Sequence, residues 1–224
     1  MFSSKLFKKH CSPEWREIFE SNKSTLVVKA KERIFNAGSP VKGIYFIEEG
    51  AVKVLVSFNK DEEKIVRIAG KDTILGHRGI HYKRYHVSSV ALMDTTLTFS
   101  PLGIFEKILM ANPKMAMYLL NFMVEELYDA EERLVSLANI DPKQRIAKML
   151  LKQVECFGFK SKTDKTLSFT LSRADLSNMV GTSYETVIRT LSLFEKSQYI
   201  KLIGKEIAIT NMAKLTSLCM SNES

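Results

Sequence analysis

Long apolar runs, clustered cysteines and a secretion signal are missing from this 224-residue sequence. No apolar run approaches the roughly 20 residues that a membrane-spanning helix needs. Cys11, Cys156 and Cys219 lie far apart and are odd in number, so neither a disulfide framework nor a zinc cluster is indicated. The N-terminal residues 1–10 lack the apolar segment of a signal peptide. We therefore expect a cytoplasmic protein that does not bind a membrane.

Signatures of catalysis are missing as well. The sequence contains no phosphate-binding loop, no zinc motif and no pairing of a nucleophile with a base. A metabolic enzyme with a cupin-like barrel would need a compact set of His and Glu ligands, and His77, His81 and His86 have no carboxylate at metal-binding spacing. A cyclic-nucleotide-dependent enzyme or channel module would need a further domain, for which we see no segment. We expect a protein that is not an enzyme and holds no metal.

Positive charge is in excess. Lys and Arg number 33 against 25 Asp and Glu, which gives a net charge of +8. This excess favours an anionic partner but does not distinguish nucleic acid from a membrane surface. From Ile140 onward 13 basic residues stand against 8 acidic ones, so this shorter part of the chain carries +5 of the +8. The hydrophobic content of 45% is sufficient for one large or two modest domains.

The stretch Leu171–Phe194 predicts two short helices joined by a tight turn. Ser172 is a good N-cap for the first helix, because its hydroxyl accepts from an otherwise unbonded N–H. Gly181 suits the end of that helix because it tolerates positive φ. Thr182, with Glu185 three residues later, forms a capping box that begins the second helix at once. Two helices separated only by such a turn are typical of a helix-turn-helix.

The second of these helices has two different faces. Val187, Leu191 and Phe194 recur at spacings of four and three, which predicts an apolar stripe on the domain core. Glu185 and Arg189 lie four residues apart on another side and are therefore neighbours. A carboxylate accepts from cytosine N4, and a guanidinium donates to guanine O6 and N7, so this pair is suited to reading bases. The alternative is a surface ion pair; the capped turn before the helix and the basic hairpin after it favour DNA.

That hairpin is predicted over residues 199–209. Gly204 and Lys205 form the two-residue turn between β-branched segments, and Lys201 adds a second positive charge. Residues 166–171 are expected to form a strand that leads into the helix-turn-helix. Asp141, followed by Pro142, predicts the start of another helix nearer the N-terminus.

The N-terminal half is rich in short segments with β-branched and aromatic residues, separated by turns such as 59–61. This spacing favours a small antiparallel barrel or sandwich. The predicted strands cover residues 25–30, 32–35, 43–47, 51–57, 64–68, 87–92 and 95–99. Short helices are expected over residues 13–21 and 102–110.

A long helix is predicted from Pro113 to about residue 138. Apolar residues recur along it at spacings of four and three over about three heptads, with acidic residues beside them. The first half of this seam is expected to cover the β-domain, and the last turns to pair with a second copy of the chain. The residues expected in the dimer interface are Leu120, Met123, Leu127, Ala130, Leu134 and Leu137.

The segment from Leu171 to Ile209 resembles the winged helix-turn-helix of the Crp/Fnr family of bacterial transcription regulators. The run Ser183-Tyr-Glu-Thr-Val-Ile-Arg189 matches the family's recognition-helix pattern, with Tyr184 where Arg is frequent. The resemblance implies a homodimer that binds double-stranded DNA at an inverted repeat and contacts RNA polymerase. The residues expected at the DNA are Arg173, Thr182, Ser183, Tyr184, Glu185, Arg189 and Lys205.

The run Ile44–Leu55 is similar to the core of the cyclic-nucleotide-binding β-roll. Family members that bind cyclic AMP hold its phosphate in a cassette that begins Gly-Glu-x-Gly and ends Arg-Ser/Thr-Ala. Here His77 stands in place of the Glu and Val87 in place of the Arg, so we do not expect cyclic AMP to bind. Arg78 or Arg84 is available as a substitute, and the effector is unknown: another small anion, or none. The candidate effector residues are Gly76, His77, Arg78, Gly79, Ser88 and Ser89.

A haem- or metal-containing gas or redox sensor of the same family is the alternative, with His77 as the ligand, since some haem-sensing relatives place an axial His in this region. Loop histidines are more often solvated, so we do not expect haem. No iron–sulfur cluster is expected, because Fnr-type clusters need several closely spaced N-terminal cysteines and Cys11 stands alone.

The predicted fold is α+β: an N-terminal antiparallel β-roll (a double-stranded β-helix of the cyclic-nucleotide-binding kind), a long dimerisation helix and a C-terminal winged helix-turn-helix. The expected domains are residues 1–111 for the sensor, 112–139 for the dimerisation helix and hinge, and 140–224 for DNA binding.

Overall fold

The structure is a computed structural model that describes residues 1–59 and 62–220. The chain forms two compact units, Met1–Asp129 and Ala130–Ser224. The predicted turn over residues 59–61 lies partly outside the described residues.

The first unit begins with two helices, α1 (Phe2–His10) and α2 (Pro13–Asn22). Among the described residues eight strands follow, and then α3 (Leu102–Ala111) and the first part of α4 (Pro113–Asn139). The strands are β1 (Ser24–Val28), β2 (Arg33–Phe35), β3 (Gly43–Glu49), β4 (Val52–Asn59), β5 (Glu62–Ala69), β6 (Thr73–Leu75), β7 (Ser88–Ala91) and β8 (Thr95–Pro101).

The strands form two four-stranded sheets, with the orders β1-β8-β3-β6 and β2-β7-β4-β5. Every pairing is antiparallel, which confirms the predicted β-roll. Strand β6 and helix α1 were not predicted from the sequence.

Strand β3 is buried on both faces. Tyr45 and Ile47 belong to the apolar core inside the roll, whereas Ile44 and Phe46 belong to a second core. Successive side chains of a strand point to opposite faces, so one strand serves both cores. The second core is completed by helices that pack on the outside of the roll; it contains Leu6, Phe7, Phe19, Phe105, Ile108, Met115 and Leu119.

The second unit contains the last turns of α4, then α5 (Pro142–Phe157), α6 (Arg173–Val180) and α7 (Tyr184–Lys196). A hairpin of β9 (Ile200–Ile203) and β10 (Glu206–Ile209) and a final helix, α8 (Met212–Met220), complete it. The side chain of Asp141 caps α5 by accepting from the Lys143 N–H at 2.6 Å, as predicted.

The strand predicted over residues 166–171 is wrong. Only isolated bridges form in this stretch, between Phe159 and Leu167 and between Thr166 and Ala208. Leu171 is buried, and its N–H donates to the Oε1 of the buried Gln153 at 2.8 Å. The segment is thus held by the Gln153 side chain and by single backbone bonds to β10, such as that from the Leu167 N–H to the Ile207 carbonyl at 2.9 Å, rather than by a continuous strand ladder. Among the described residues, no helix is long and apolar enough to cross a membrane.

Candidate nucleic-acid interface and sensor segment

The turn between α6 and α7 is built from local hydrogen bonds. The Ser172 hydroxyl accepts from the Asp175 N–H at 3.0 Å, so Ser172 is the N-cap of α6, as predicted. Gly181 ends α6 with φ +63° and ψ +50°, the left-handed conformation that glycine adopts at little cost. These two outcomes confirm the first helix and its end.

The start of the second helix differs from the prediction by one residue. Ser183, not Thr182, is the N-cap of α7, and its hydroxyl accepts from the Thr186 N–H at 3.1 Å. The reason is that Thr182 still belongs to the end of α6, since its N–H donates to the Ser177 carbonyl at 3.2 Å. The capping box of Thr182 with Glu185 therefore does not form, and the Glu185 carboxylate is left for other contacts.

Helix α7 has the two faces that the sequence predicts. Val187, Leu191 and Phe194 are buried, with at most 1% of each exposed. Glu185 and Arg189 are exposed on another side of the helix, beside the half-exposed Tyr184 and Ile188. Within the described part of the chain, no ion pair joins Glu185 to Arg189. The structure thus presents both charged groups to solvent, which the ion-pair alternative does not predict.

The hairpin formed by β9 and β10 is tied to α6 by one arginine. Arg173, the first residue of α6, donates from Nη1 to the carbonyl oxygen of Lys205 at 2.7 Å. Gly204, the first residue of the turn, has φ +60°, and Ile203 pairs with Glu206 across it, so the predicted two-residue turn is confirmed. Arg173 therefore positions the wing, a role that the sequence did not suggest.

A second arginine, Arg145, lies behind the turn between α6 and α7. It was not singled out from the sequence. The Arg145 guanidinium donates to the carbonyls of Ile140 (2.7 Å), Val180 (2.9 Å), Gly181 (3.2 Å) and Leu137 (3.3 Å). These carbonyls lie at the C-terminal ends of α4 and α6, where a cation is favourable. No spacing rule marks such a residue, because its four acceptors come from two segments distant in sequence.

The sensor segment contains a one-turn 3₁₀ helix, His77–Gly79, which begins after Gly76 at φ +86°. Among the candidate effector residues, His77 is buried, and its Nε2 lies 2.8 Å from Oε2 of Glu126 on α4. Arg78 donates to the same oxygen from Nε at 3.2 Å and from Nη2 at 3.1 Å. Arg67 of β5 lies 2.5 Å from the other carboxylate oxygen.

This cluster changes the ionisation of its members. Burial by itself would raise the pKa of Glu126, but the hydrogen bond from His77 and the charges of Arg67 and Arg78 lower that pKa to about 2. Burial lowers the pKa of His77 below its usual value, against the raising effect of Glu126. At neutral pH the cluster therefore contains a neutral imidazole, two guanidinium ions and one carboxylate.

The interior of the roll next to this segment is almost filled. The cavity lined by Phe35, Tyr85, His77 and Val87, among others, has a volume of about 10 Å³, room for about one water molecule. The rings of Phe35 and Tyr85 stack there at 4.1 Å, and the Tyr85 hydroxyl donates to the Gly43 carbonyl at 2.9 Å.

The other candidate effector residues differ in their surroundings. Ser88 accepts from the Ala37 N–H at 3.0 Å, whereas the hydroxyl of Ser89 is buried and has no partner among the described residues. Arg84, which we considered as a phosphate ligand, is exposed and donates to the Gly38 carbonyl at 2.6 Å. The residues that the sequence suggests for effector binding therefore fall into two groups. The cavity is lined by Gly76, His77, Arg78 and Gly79, and it is not lined by Ser88, Ser89 or Arg84.

Haem does not fit the residues present. The His77 Nε2 is engaged by Glu126, and the adjoining cavity is far smaller than a porphyrin. Among the described residues, no group of three or more His, Cys, Asp and Glu side chains is arranged to hold a metal ion.

Comparisons with known proteins identify both parts of the chain, the β-roll and the helix-turn-helix. Residues 25–112 match the family model described as a cyclic nucleotide-binding domain, and residues 144–218 match the Crp-like helix-turn-helix domain. The chain belongs to the Crp/Fnr family. This Crp/Fnr protein is a DNA-binding transcription regulator and not an enzyme.

Its relatives include the electron transport regulator A of Shewanella oneidensis, which is 26% identical over 191 residues, 85% of this chain and 76% of the relative. The fumarate and nitrate reduction regulatory protein of Vibrio cholerae is 24% identical over 198 residues, 88% of this chain and 79% of the relative. The structure of FixK2 from Bradyrhizobium japonicum has a TM-score of 0.77 at 20% identity, covering 88% of this chain and 96% of FixK2, which shows the shared fold.

Proposed function

We propose that this Crp/Fnr regulator reads DNA bases with Glu185 and Arg189 of α7. The observation that carries the proposal is the presentation of these two side chains next to each other, exposed, on the helix that follows the capped turn. The buried Val187, Leu191 and Phe194 fix the rotation of α7 about its axis, so the charged pair faces away from the core. A carboxylate and a guanidinium at this position suit cytosine N4 and guanine O6 and N7.

The remaining expected DNA contacts have different roles in this proposal. Arg173 holds the wing turn through the Lys205 carbonyl, which leaves the Lys205 ammonium group exposed for a phosphate. Ser183 and Thr182 lie at the N-terminus of α7, where backbone N–H groups and the helix dipole favour a phosphate as well. Tyr184, half exposed, contacts a thymine methyl group or a phosphate.

We further propose that the regulator is a homodimer formed through α4. Helix α4 has two apolar stripes: Met115, Leu119 and Phe122 pack on the roll, and a second stripe is exposed. The exposed stripe contains Leu120 (51% exposed), Met123 (45%), Leu127 (59%), Leu134 (70%) and Leu137 (42%), with Ala130 among them. Exposed apolar side chains repeated at this spacing are typical of a helix that pairs with a second copy.

A dimer would place two α7 helices about 34 Å apart, one turn of DNA, so we expect the operator to be an inverted repeat. In this proposal the segments 1–111, 112–139 and 140–224 serve as sensor, dimerisation helix with hinge, and DNA-binding domain. RNA polymerase is the proposed partner at the promoter. The proposed effector of the roll is not cyclic AMP, because Val87 supplies no positive charge for its phosphate and the cavity is nearly filled.

Binding-site selection on randomised DNA tests the base-reading role. Wild type should select an inverted repeat, and Arg189→Ala should lose about 1–3 kcal/mol and relax the preference at one position in each half-site. Lys196→Ala, an exposed residue in the last turn of the same helix, is the matched control and should select the wild-type sequence. If Arg189→Ala selects the same half-site with the same discrimination, Arg189 does not read a base.

A further inference from the structure

We propose that Arg67, His77 and Arg78 form a binding site for a small oxyanion, and that the chain's own Glu126 carboxylate occupies it. This inference rests on the proposed sensing role of the segment from Gly76 to Gly79. The ligand class is a carboxylate or phosphate group that replaces Glu126, and the exchange releases α4 from this point of the roll.

The first support is the convergence of donors on one carboxylate. Glu126 Oε2 accepts from two nitrogens of Arg78 and lies 2.8 Å from His77 Nε2, while Oε1 lies 2.5 Å from Arg67. These donors come from β5 and from the 3₁₀ turn, whereas Glu126 comes from α4. Two guanidinium ions and an imidazole N–H around one two-oxygen group are the chemistry by which proteins bind carboxylates and phosphates.

The second support is the charge that a phosphate would bring to Arg67 and Arg78. Arg67 and Arg78 bring two positive charges to the site, and Glu126 brings one negative charge. His77 remains neutral because burial lowers its pKa. A phosphate that replaced Glu126 would bring up to two negative charges and more acceptor oxygens to the two guanidinium ions than one carboxylate does.

A third observation concerns the other nitrogen of His77. Its Nδ1 is buried and has no hydrogen-bond partner among the described residues, although the side chain is only 2% exposed. When Nε2 carries the proton toward Glu126, Nδ1 is an acceptor without a donor. A buried polar atom of this kind is costly unless a further group bonds to it.

Access to the site is through Arg78. The side chain of Arg78 is 36% exposed, whereas those of Arg67 and Glu126 are 16% and 10% exposed. All three donor residues also line the cavity inside the roll. The resident carboxylate is supplied within the chain and has a high effective concentration, so an external anion binds weakly to the wild-type protein. Anion binding favours the release of Glu126, and the release of Glu126 favours anion binding by the same factor. The site therefore controls the contact between α4 and the roll.

The test uses inorganic phosphate as the probe and thermal unfolding of the full chain as the readout, at constant ionic strength maintained with potassium chloride. Glu126→Gln removes the resident charge and should make the melting temperature rise with phosphate. A phosphate concentration about four times the dissociation constant gives a rise of about 2–4 °C. Wild type and Glu125→Gln, an exposed neighbour on the same helix, should respond by less than half as much.

Two further variants make the result decisive. Glu126→Gln combined with Arg78→Gln should lose the response, because the more accessible guanidinium is gone. Glu126→Asp keeps the charge but withdraws the carboxylate by one methylene; it serves if Glu126→Gln does not fold, and should respond more than wild type. An equal response in wild type and every folded variant overturns the proposal, as does a response that survives Arg78→Gln. Neither result affects the proposed DNA binding, whose test does not depend on phosphate.

Discussion

The C-terminal end of α4 packs against the turn of the helix-turn-helix, where Leu137 lies beside Gly181. A Cβ added to Gly181 would lie 2.7 Å from the Cδ2 of Leu137; in the described part of the chain, no other heavy atom beyond the two neighbouring residues lies within 4 Å of it. The positive φ of +63° selects glycine here, and a Cβ would in addition require the end of the Leu137 side chain to move.

Gly181→Ala should destabilise the protein by about 1–2 kcal/mol from backbone strain, with a further loss from the contact with Leu137. The measurement is urea unfolding. Gly204→Ala is the matched control, since Gly204 has φ +60° with nothing within 4 Å, and should show the strain alone. Adding Leu137→Ala to Gly181→Ala should recover the part of the destabilisation that exceeds the loss in Gly204→Ala. If nothing is recovered, the Leu137 side chain moves away from the new Cβ at no cost in stability.

Arg145→Gln should weaken binding to every DNA sequence by a similar factor. Four carbonyls around the turn lose their shared donor, so the orientation of α7 is no longer fixed relative to the end of α4. We also expect a loss of about 1–2 kcal/mol in unfolding free energy, because solvent replaces part of these bonds. Titrations with specific and random DNA measure the effect, with Lys143→Gln as the control. A change in sequence preference would contradict this positioning role.

Leu127→Glu combined with Leu134→Glu should produce monomers. Burying a leucine side chain contributes about 1.5–3 kcal/mol, so charging both positions in each protomer should weaken the dimer by more than about 100-fold. Analytical ultracentrifugation at micromolar concentration is the measurement. Met110→Glu, which charges an apolar residue of α3 that is 84% exposed, should leave the oligomeric state unchanged. An unchanged dimer in the double variant would place the interface elsewhere.

Acidification should destabilise the first unit in two steps. The folded pKa of His77 is lowered from 6.5, so the unfolded chain takes up a proton first and stability falls as the pH drops below about 6.5. The folded pKa of Glu126 is about 2 against an ordinary 4.5, so its contribution, up to about 3 kcal/mol, is present above pH 4.5 and is lost toward pH 2.

Urea unfolding from pH 7 to pH 3 separates the two steps. His77→Gln should remove the step below pH 6.5, and Glu126→Gln the step below pH 4.5, relative to Glu125→Gln. The same pH profile in Glu126→Gln and Glu125→Gln would show that Glu126 carries no such contribution.

Local signals made the helix-turn-helix predictable. Ser172 and Gly181 act on backbone groups within a few residues, so their effect is encoded in a short window. The one-residue error at Thr182 arose because its N–H closes the preceding helix, so that the next residue, Ser183, is the cap instead.

Contacts between distant residues account for what was missed. Helix α1 has a short apolar face of Phe2, Leu6 and Phe7; it is also held by Glu48, which accepts from the Ser3 N–H at 3.1 Å and from the Phe2 N–H. Glu126 is one of the acidic residues beside the predicted dimer seam, yet it lies on the face of α4 that packs on the roll and contacts His77, 49 residues earlier in the chain. No window on the sequence brings such partners together.

Strand β3 acts as a partition between two apolar compartments. Tyr45 and Ile47 belong to the core inside the roll, where Tyr45 packs on the rings of Phe35 and Phe99. Ile44 and Phe46 belong to the second core, which also contains Met115 and Leu119 of α4. Both cores are close-packed, so a change in side-chain volume in the core inside the roll displaces β3 toward the second core. A mechanical signal therefore has a route from the interior of the roll to α4 that involves no charged group at all.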